Sequence, residues 1–187
     1  MGAVVRTTSE PMVGQIRLAW WRERLAEIDR GIIPAEPHLQ DAAEIVANES
    51  VTGIQMSRLA DGWAALLDPF PWGEEVASAI AGRGRDLFGM AARIIGAGPD
   101  AVSEAGSMWA LVDVARHCSD PESRDRLIAS AQSFAAGFRG HVAEAARPLA
   151  MLGLLASRDL DRWPEIEPEG TPGRAWVMIR HRLTGRV

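Results

Sequence analysis

Lysine is missing from this sequence and cysteine is almost missing, and each absence excludes a kind of chemistry. All twenty basic residues are arginine, so the chain has neither a lysine nucleophile nor a lysine for a Schiff base. The single cysteine, Cys118, excludes an internal disulfide, and four scattered histidines give no Cys/His zinc pattern. The fold must therefore be held by packing and non-covalent polar contacts.

Long apolar runs and a basic charge excess are missing too. No eighteen consecutive residues are apolar, and the first ten, MGAVVRTTSE, lack the apolar centre of a secretory signal, so we expect a cytoplasmic protein. A formal net charge of -5 argues against a general nucleic-acid binder. The length of 187 residues and the hydrophobic content of 47% predict one ordinary domain over residues 1–187.

Apolar residues recur at spacings of three and four along most of the chain, while alternating β-branched runs are missing. The sequence therefore predicts an all-α bundle of about seven helices with no sheet. The predicted helices cover residues 9–29, 38–49, 54–67, 74–96, 99–118 and 119–146, a short buried segment RPLAMLGLLASRDL, and a last helix that Thr171-Pro172 caps and Gly185 ends.

Several local signals refine these helices. Thr7 with Glu10, and Ser119 with Glu122, have the spacing of capping boxes. Pro148 should break or bend the helix that comes before it. The string Gly82-Arg83-Gly84 inside a predicted helix indicates either a kink or a close contact with a neighbouring helix, because interior glycines cost about 1 kcal/mol each relative to alanine.

The stretch EPMVGQIRLAWWRERLAEID, residues 10–29, is apolar on most of its circumference. At about 100° per residue, Arg17 and Arg24 project between two apolar flanks, one ending in Trp20 and the other including Trp21. We therefore expect both arginines to face the interior or a cavity. They would form internal salt bridges, snorkel over tryptophan, or, together with Trp109, make a wall that binds an anion or a partner.

A second helix, GSMWALVDVARHC, places Trp109, Asp113 and His117 in one column, with Arg116 beside them. Asp113 and His117 have the residue types of a divalent-metal site or of an acid/base pair in which the carboxylate orients the imidazole. The alternative is a plain interaction of Asp113 with Arg116 or His117 on the helix surface.

EPMVGQIRLAWWRERL, DPFPWGEEVASAI and GSMWALVDVARH together resemble the squalene/phytoene synthase family. They are most similar to its non-catalytic branch, known in mitochondria as a respiratory complex I assembly factor. The resemblance runs from Glu10 to about Arg116, and more loosely to WVMIRHRLTGR near the C-terminus. It implies an isoprenoid-synthase-like helical bundle.

Active members of that family hold magnesium ions, and through them two prenyl diphosphates, on two aspartate-rich motifs. The first motif lies upstream of the EP segment, so the resemblance implies a chain truncated at its N-terminus. Either an upstream start was overlooked, or the shortened bundle exposes a groove that a partner fills. In the second motif Asp113 and Arg116 match, but His117 and Pro121 replace the aspartates and Asp120 lies one position early.

The resemblance thus leaves a remnant site of Asp113, Arg116, His117 and Asp120. We expect a catalytically inactive binding or assembly scaffold that holds a protein partner, such as a respiratory-chain subunit, or a prenyl or lipid group. The alternative is a prenyl-diphosphate transferase that uses Mg²⁺, completed by another chain. A helical domain with no small-molecule site is the third hypothesis.

The C-terminal segment is basic, with Arg180, His181, Arg182 and Arg186 close together. This pattern suits the negative end of a helix dipole. It also fits a peripheral contact with an anionic membrane surface, which for the assembly-factor branch would be an inner membrane.

Overall fold

The computed structural model describes residues 1–48 and 51–187, and these form two compact units, Met1–Pro69 and Phe70–Val187. The described residues are predominantly helical and contain no strand, apart from one isolated β-bridge between His141 and Arg186. The predicted all-α class is therefore confirmed. The predicted end of one helix at residue 49 lies outside the described residues. In the described ranges, no helix is both long and apolar enough to cross a bilayer.

The first unit is built on one long helix and several short ones. Its core packs Leu25 and Ile28 against Leu39 and two alanines of the third helix. The Asp29 carboxylate holds the start of a later helix, because it accepts hydrogen bonds from the backbone N–H groups of residues 53 and 54. The helices are α1 (Gly2–Thr7), α2 (Pro11–Glu27), α3 (Pro37–Ala47), α4 (Gly53–Ser57) and α5 (Leu59–Ala64), with 3₁₀ turns at Ile28–Arg30 and Ala65–Leu67.

The second unit surrounds a central helix. Its helices are α6 (Glu74–Ile94), α7 (Ser103–His117), α8 (Pro121–Ala135), α9 (Arg147–Asp161) and α10 (Pro172–Thr184), with 3₁₀ turns at Pro99–Val102 and Glu144–Ala146. Helix α7 packs against α6, α8 and α9, and α10 packs on α9. Fully buried side chains at this centre include Ile80, Phe88, Met108, Leu111 and Leu127.

Two glycines let α6 and α7 approach closely. A Cβ atom on Gly84 would lie 2.1 Å from the carbonyl oxygen of Gly106, and one on Gly106 would lie 2.4 Å from the carbonyl oxygen of Gly84. A Cβ on Gly82 would meet nothing within 4 Å. Of the two expectations for the Gly82-Arg83-Gly84 string, the close helix contact is confirmed, and Gly84 is the residue that provides it.

Both predicted capping boxes are wrong. The Thr7 hydroxyl donates to the carbonyl of Ala3 inside α1, and α2 begins after Glu10 with no side-chain cap. Asp120, rather than Ser119, caps α8, because its carboxylate accepts from the backbone N–H of Ser123. In each case a proline at the first helical position fixes the helix start, three residues later than the Thr7 box predicts and one residue later than the Ser119 box predicts.

The helix predicted for residues 119–146 ends at Ala135, and Pro148 starts α9 instead of breaking a helix. A proline in the first turn is favourable, since the N–H that it lacks would have no partner inside the helix. The last helix follows the prediction: the Thr171 hydroxyl accepts from the N–H of Arg174, and Gly185 ends α10 in the left-handed conformation.

Candidate functional site

A cavity of about 350 Å³ lies in the second unit between α7, α9, α10 and the loop of residues 162–171. Helix α7 presents four residues to it at helical spacing, which is why one face of that helix can line a ligand site. The lining residues are Trp109, Val112, Asp113, Arg116, Leu152, Leu155, Ala156, Asp159, Glu169, Gly170, Thr171, Arg174, Ala175 and Met178.

One side of the cavity is apolar. It is formed by Trp109 and Val112 from α7, Leu152 and Leu155 from α9, and Met178 from α10. The ring of Trp109 packs on Phe88, with ring centroids 5.5 Å apart, so its position is fixed from behind. This side offers contact area to a hydrocarbon ligand rather than hydrogen bonds.

The polar side of the cavity is built on one buried carboxylate. The Asp159 side chain is only 2% exposed, and it accepts from Arg116 Nη1 at 3.0 Å and from Arg174 Nη1 at 2.5 Å. Burying a carboxylate is costly unless it is paired and hydrogen-bonded, and here two guanidinium groups satisfy both oxygens. Asp159 therefore joins α7, α9 and α10 at the base of the cavity.

Arg116 also reaches towards solvent. Its Nη2 lies 3.4 Å from a carboxylate oxygen of Glu169, whose side chain is 82% exposed. A long contact to an exposed carboxylate contributes little free energy. One edge of this guanidinium is consequently held only weakly at the cavity rim.

The loop beside the rim is tied down by another carboxylate. Glu167 accepts from Arg158 at 2.7 Å and from the hydroxyl of Thr171 at 2.5 Å. These hydrogen bonds, first that of Arg158 and then that of Thr171, lower the pKa of Glu167. Glu167 therefore anchors the loop two residues before Glu169.

The four residues of the predicted remnant site do not meet at one point. Asp113 and Arg116 line the cavity, whereas His117 is exposed and donates through Nδ1 to the backbone carbonyl of Asp113 at 2.8 Å. Asp120 caps α8, and the hydrogen bonds from the hydroxyl and N–H of Ser123 lower its pKa. The structure thus brings together half of this set.

The residues present do not fit magnesium. Of the acidic residues in the remnant site, Asp113 lines the cavity. It interacts with the buried Arg83. Burial lowers the pKa of Arg83 to about 10, and the negative charge of Asp113 opposes that shift. Arg116 stands on the same face of α7. Magnesium needs several carboxylate oxygens that are open to it, and here Arg116 and Arg174 already occupy both oxygens of the buried Asp159. Within the described ranges, no group of three acidic, histidine or cysteine side chains has a metal-binding arrangement.

The predicted inward orientation is wrong for Arg17, and Arg24 meets it only in part. Only one flank of α2, which includes Leu18 and Leu25, is buried, while the flank with Ile16 is exposed. Arg17 is exposed at the edge between them. Arg24 is half-buried and bound to Glu27 at 2.8 Å within its own helix. The arginines lie at the boundary of the buried face because a single flank suffices to pack α2.

The predicted wall residues are divided between the two units. Trp20 is exposed and Trp21 is half-buried, and their rings meet edge to face with centroids 5.2 Å apart. Trp109 belongs to the second unit, where it lines the cavity. Met12, Val13 and Ile16 continue the exposed surface of Trp20 along α2, so an apolar stripe rather than an arginine wall is the feature of this helix.

Sequence reasoning missed Asp159, Arg174 and Glu169, which give the cavity its polar side. A usable signal was present: Asp159 interrupts the apolar pattern of α9, and a charged residue on a buried helix face must find a partner. The sequence could not show that Arg116 is the partner of Asp159, because it lies 43 residues earlier in the chain.

Comparisons of this chain with protein-family models, with curated proteins and with solved structures found no match in any of the three.

Proposed function

We propose that this protein is a non-catalytic, squalene/phytoene synthase-like binding protein that holds a short prenyl or lipid chain in the cavity between α7, α9 and α10. The observation that carries the proposal is the division of that cavity into an apolar side around Trp109 and Leu155 and a polar side around Arg116. A ligand with a hydrocarbon tail and a small anionic head matches both sides.

The size of the cavity favours one short chain. Its volume of about 350 Å³ is near the lower end of the range of about 300–1,000 Å³ that small-molecule pockets occupy. Leu152 forms part of the apolar side yet is 39% exposed, so it lies where a tail would enter. A single prenyl chain fits this shape better than a two-chain lipid.

The head group would bind at the rim. Arg116 is already held by Asp159 through Nη1, which fixes the direction of its guanidinium. Its Nη2 contacts only the exposed Glu169, at 3.4 Å. A phosphate or diphosphate can replace that carboxylate and gain a charge-assisted hydrogen bond from an arginine that is already oriented.

The same contacts argue against prenyl transfer. The family's reaction needs carboxylates that bind Mg²⁺ and neutralise diphosphate. Here Arg116 is engaged by Asp159, Asp120 is engaged by Ser123, and His117 bonds to its own helix. These contacts support a binding role over prenyl transfer.

The test uses farnesyl diphosphate with the purified chain, with and without Mg²⁺, and measures binding by calorimetry and pyrophosphate release by a coupled assay. We expect saturable binding without pyrophosphate release. Leu152→Gln should weaken binding about tenfold, because it removes apolar contact worth about 1.5 kcal/mol. Pyrophosphate release would establish the transferase instead, and a lack of binding would overturn the ligand assignment.

Two matched variants make the result specific. Leu87→Gln is the control for Leu152→Gln, since Leu87 is 38% exposed and lies outside the cavity lining. Glu169→Gln should tighten binding by removing the carboxylate that competes for Arg116, whereas Glu165→Gln, an exposed glutamate of the same loop, should not. Weaker binding by Glu169→Gln would contradict the placement of the head group.

A second candidate function is assembly through α2, and its exposed apolar stripe favours it. Met12, Val13, Ile16 and Trp20 lie along one flank, with Arg17 beside them. Exposed stripes of this kind bury well against an amphipathic helix of a partner, and Arg17 would meet a carboxylate on it. The family resemblance would make that partner a respiratory-chain subunit.

This candidate has its own variant. Ile16→Ser should reduce binding to a purified subunit and leave farnesyl diphosphate binding unchanged, while Ile33→Ser, another exposed isoleucine of the first unit, should alter neither. Equal subunit binding by Ile16→Ser and the unaltered chain would reject α2 as the docking helix.

A further inference from the structure

Helix α10 carries a second exposed apolar stripe, which neither the cavity nor the core uses. Trp176, Ile179 and Leu183 are all exposed, and at about 100° per residue they fall within roughly 60° of one another on the helix. The opposite side of α10 is occupied by the buried Arg174 and His181. The orientation of the stripe is therefore fixed by packing, and it points away from the protein.

Arginines border this stripe on both sides. Arg180 lies about 40° beyond one edge and Arg182 about 60° beyond the other. Both are exposed, as is Arg186 just after the helix, and among the described residues none of the three belongs to a salt bridge. These positive charges are available to a binding partner.

The segment is also free of opposing charge. Residues 172–187 contain four arginines and a histidine but no aspartate or glutamate, although the whole chain has 25 acidic and 20 basic residues. Positive charge is thus concentrated around the exposed apolar stripe of α10. An anionic surface would therefore attract this helix, whereas the net negative charge of the rest of the chain would be repelled by it.

We propose that α10 docks on a bilayer surface that contains anionic lipid. In such a surface an apolar layer lies beneath a layer of phosphates, which matches an apolar stripe with an exposed arginine at each edge. Tryptophan prefers the boundary of these layers, and the arginine side chains can extend to the phosphates while their stems stay apolar. A nucleic acid would leave Ile179 and Leu183 in water, and a protein partner would need carboxylates along both edges of the stripe.

Sedimentation with vesicles tests this placement. The full chain is mixed with vesicles of phosphatidylcholine alone and with vesicles that also contain phosphatidylglycerol, at low and high salt. We expect binding to the anionic vesicles that salt weakens. Arg180→Gln with Arg182→Gln should reduce it roughly 25-fold, at about fivefold for each arginine. No binding, or equal binding to both vesicle types, would overturn the proposal.

Matched controls separate the stripe from general effects. Ile179 is 51% exposed and Ile94, at the end of α6, is 50% exposed, so Ile179→Ser should weaken binding and Ile94→Ser should not. The pair Arg93→Gln with Arg139→Gln removes two exposed arginines elsewhere and should leave binding unchanged. Circular dichroism confirms that each variant is folded.

A direct contact measurement is independent of these variants. Brominated lipids should quench part of the tryptophan fluorescence, and Trp176→Phe should abolish that quenching. Self-association of the chain that Ile179→Ser abolishes, in the absence of vesicle binding, would assign the stripe to a second copy and refute the lipid proposal.

Discussion

Replacing Asp159 with asparagine should destabilise the protein more than any change at an exposed charge. Asparagine has nearly the same size, so the packing of α9 stays intact while the negative charge is lost. Arg116 and Arg174 then face each other without the carboxylate that both contact. Arg174 is buried, so water cannot solvate the guanidinium charge that has lost its carboxylate.

The expected loss is large. Removing one partner of a buried ion pair costs about 3–5 kcal/mol, because the other charge is left buried. For a chain of this length, 1 kcal/mol shifts the melting temperature by about 2–4 °C, so a drop of roughly 6–20 °C should follow. The control is Glu169→Gln, which removes an exposed contact to Arg116 and should cost at most about 1 kcal/mol.

Urea unfolding followed by circular dichroism gives the free energies. A double variant, Asp159→Asn with Arg174→Met, should recover part of the loss, since it removes the buried guanidinium that the single variant leaves without its counter-charge. A loss below 1 kcal/mol for Asp159→Asn, equal to that of the Glu169→Gln control, would refute the reasoning that a buried ion pair organises the base of the cavity.

Three further predictions rest on other contacts. Gly84→Ala should destabilise by about 2 kcal/mol or more in urea unfolding because its Cβ would clash with a backbone carbonyl of α7, whereas Gly82→Ala should stabilise by about 0.5–1 kcal/mol; equal effects would contradict the close contact. Hydrogen bonds from Ser123 lower the pKa of Asp120, so the Asp120 carboxylate stabilises the fold fully above its unfolded pKa of about 4, and this stabilisation disappears as the pH falls through the folded pKa. The free energy of unfolding of Asp120→Asn should therefore fall less steeply with acid than that of the unaltered chain. Parallel plots of unfolding free energy against pH would contradict this link between the pKa and stability. Burial raises the pKa of the Cys118 thiol, so its alkylation by iodoacetamide should reach half its maximal rate at a higher pH in the folded chain than in urea, and an identical pH would contradict that burial.

The helical class was readable from the sequence because it depends on local rules. Spacings of three and four, the cap at Thr171 and the glycine at 185 each act within one or two turns. The close approach at Gly84 was readable as one of two alternatives, since an interior glycine costs helix stability unless it gains packing.

The orientation of α2 was not readable, because the helix is apolar on two flanks. Its buried face contains Gly14, Leu18 and Leu25, and glycine gives no hydrophobic signal. Periodicity alone therefore could not decide which flank is buried. Packing against the neighbouring helices decides it, and that information lies far along the chain.

The sequence predicted the cavity residues that α7 contributes, but not those from the rest of the chain. Asp113, Arg116 and Trp109 were found because they share one helix face, and all three line it. The other polar residues come from α9, α10 and the loop between them, and no spacing rule relates them to α7. Only the folded chain shows that Asp159, 43 residues from Arg116, supplies its partner.

Binding of farnesyl diphosphate by the unaltered chain and by Leu152→Gln, measured with pyrophosphate release in the presence of Mg²⁺, tests the central claim most directly. The proposed role predicts saturable binding that Leu152→Gln weakens about tenfold, with no pyrophosphate released. Release of pyrophosphate, or binding that Leu152→Gln leaves unchanged, would contradict it.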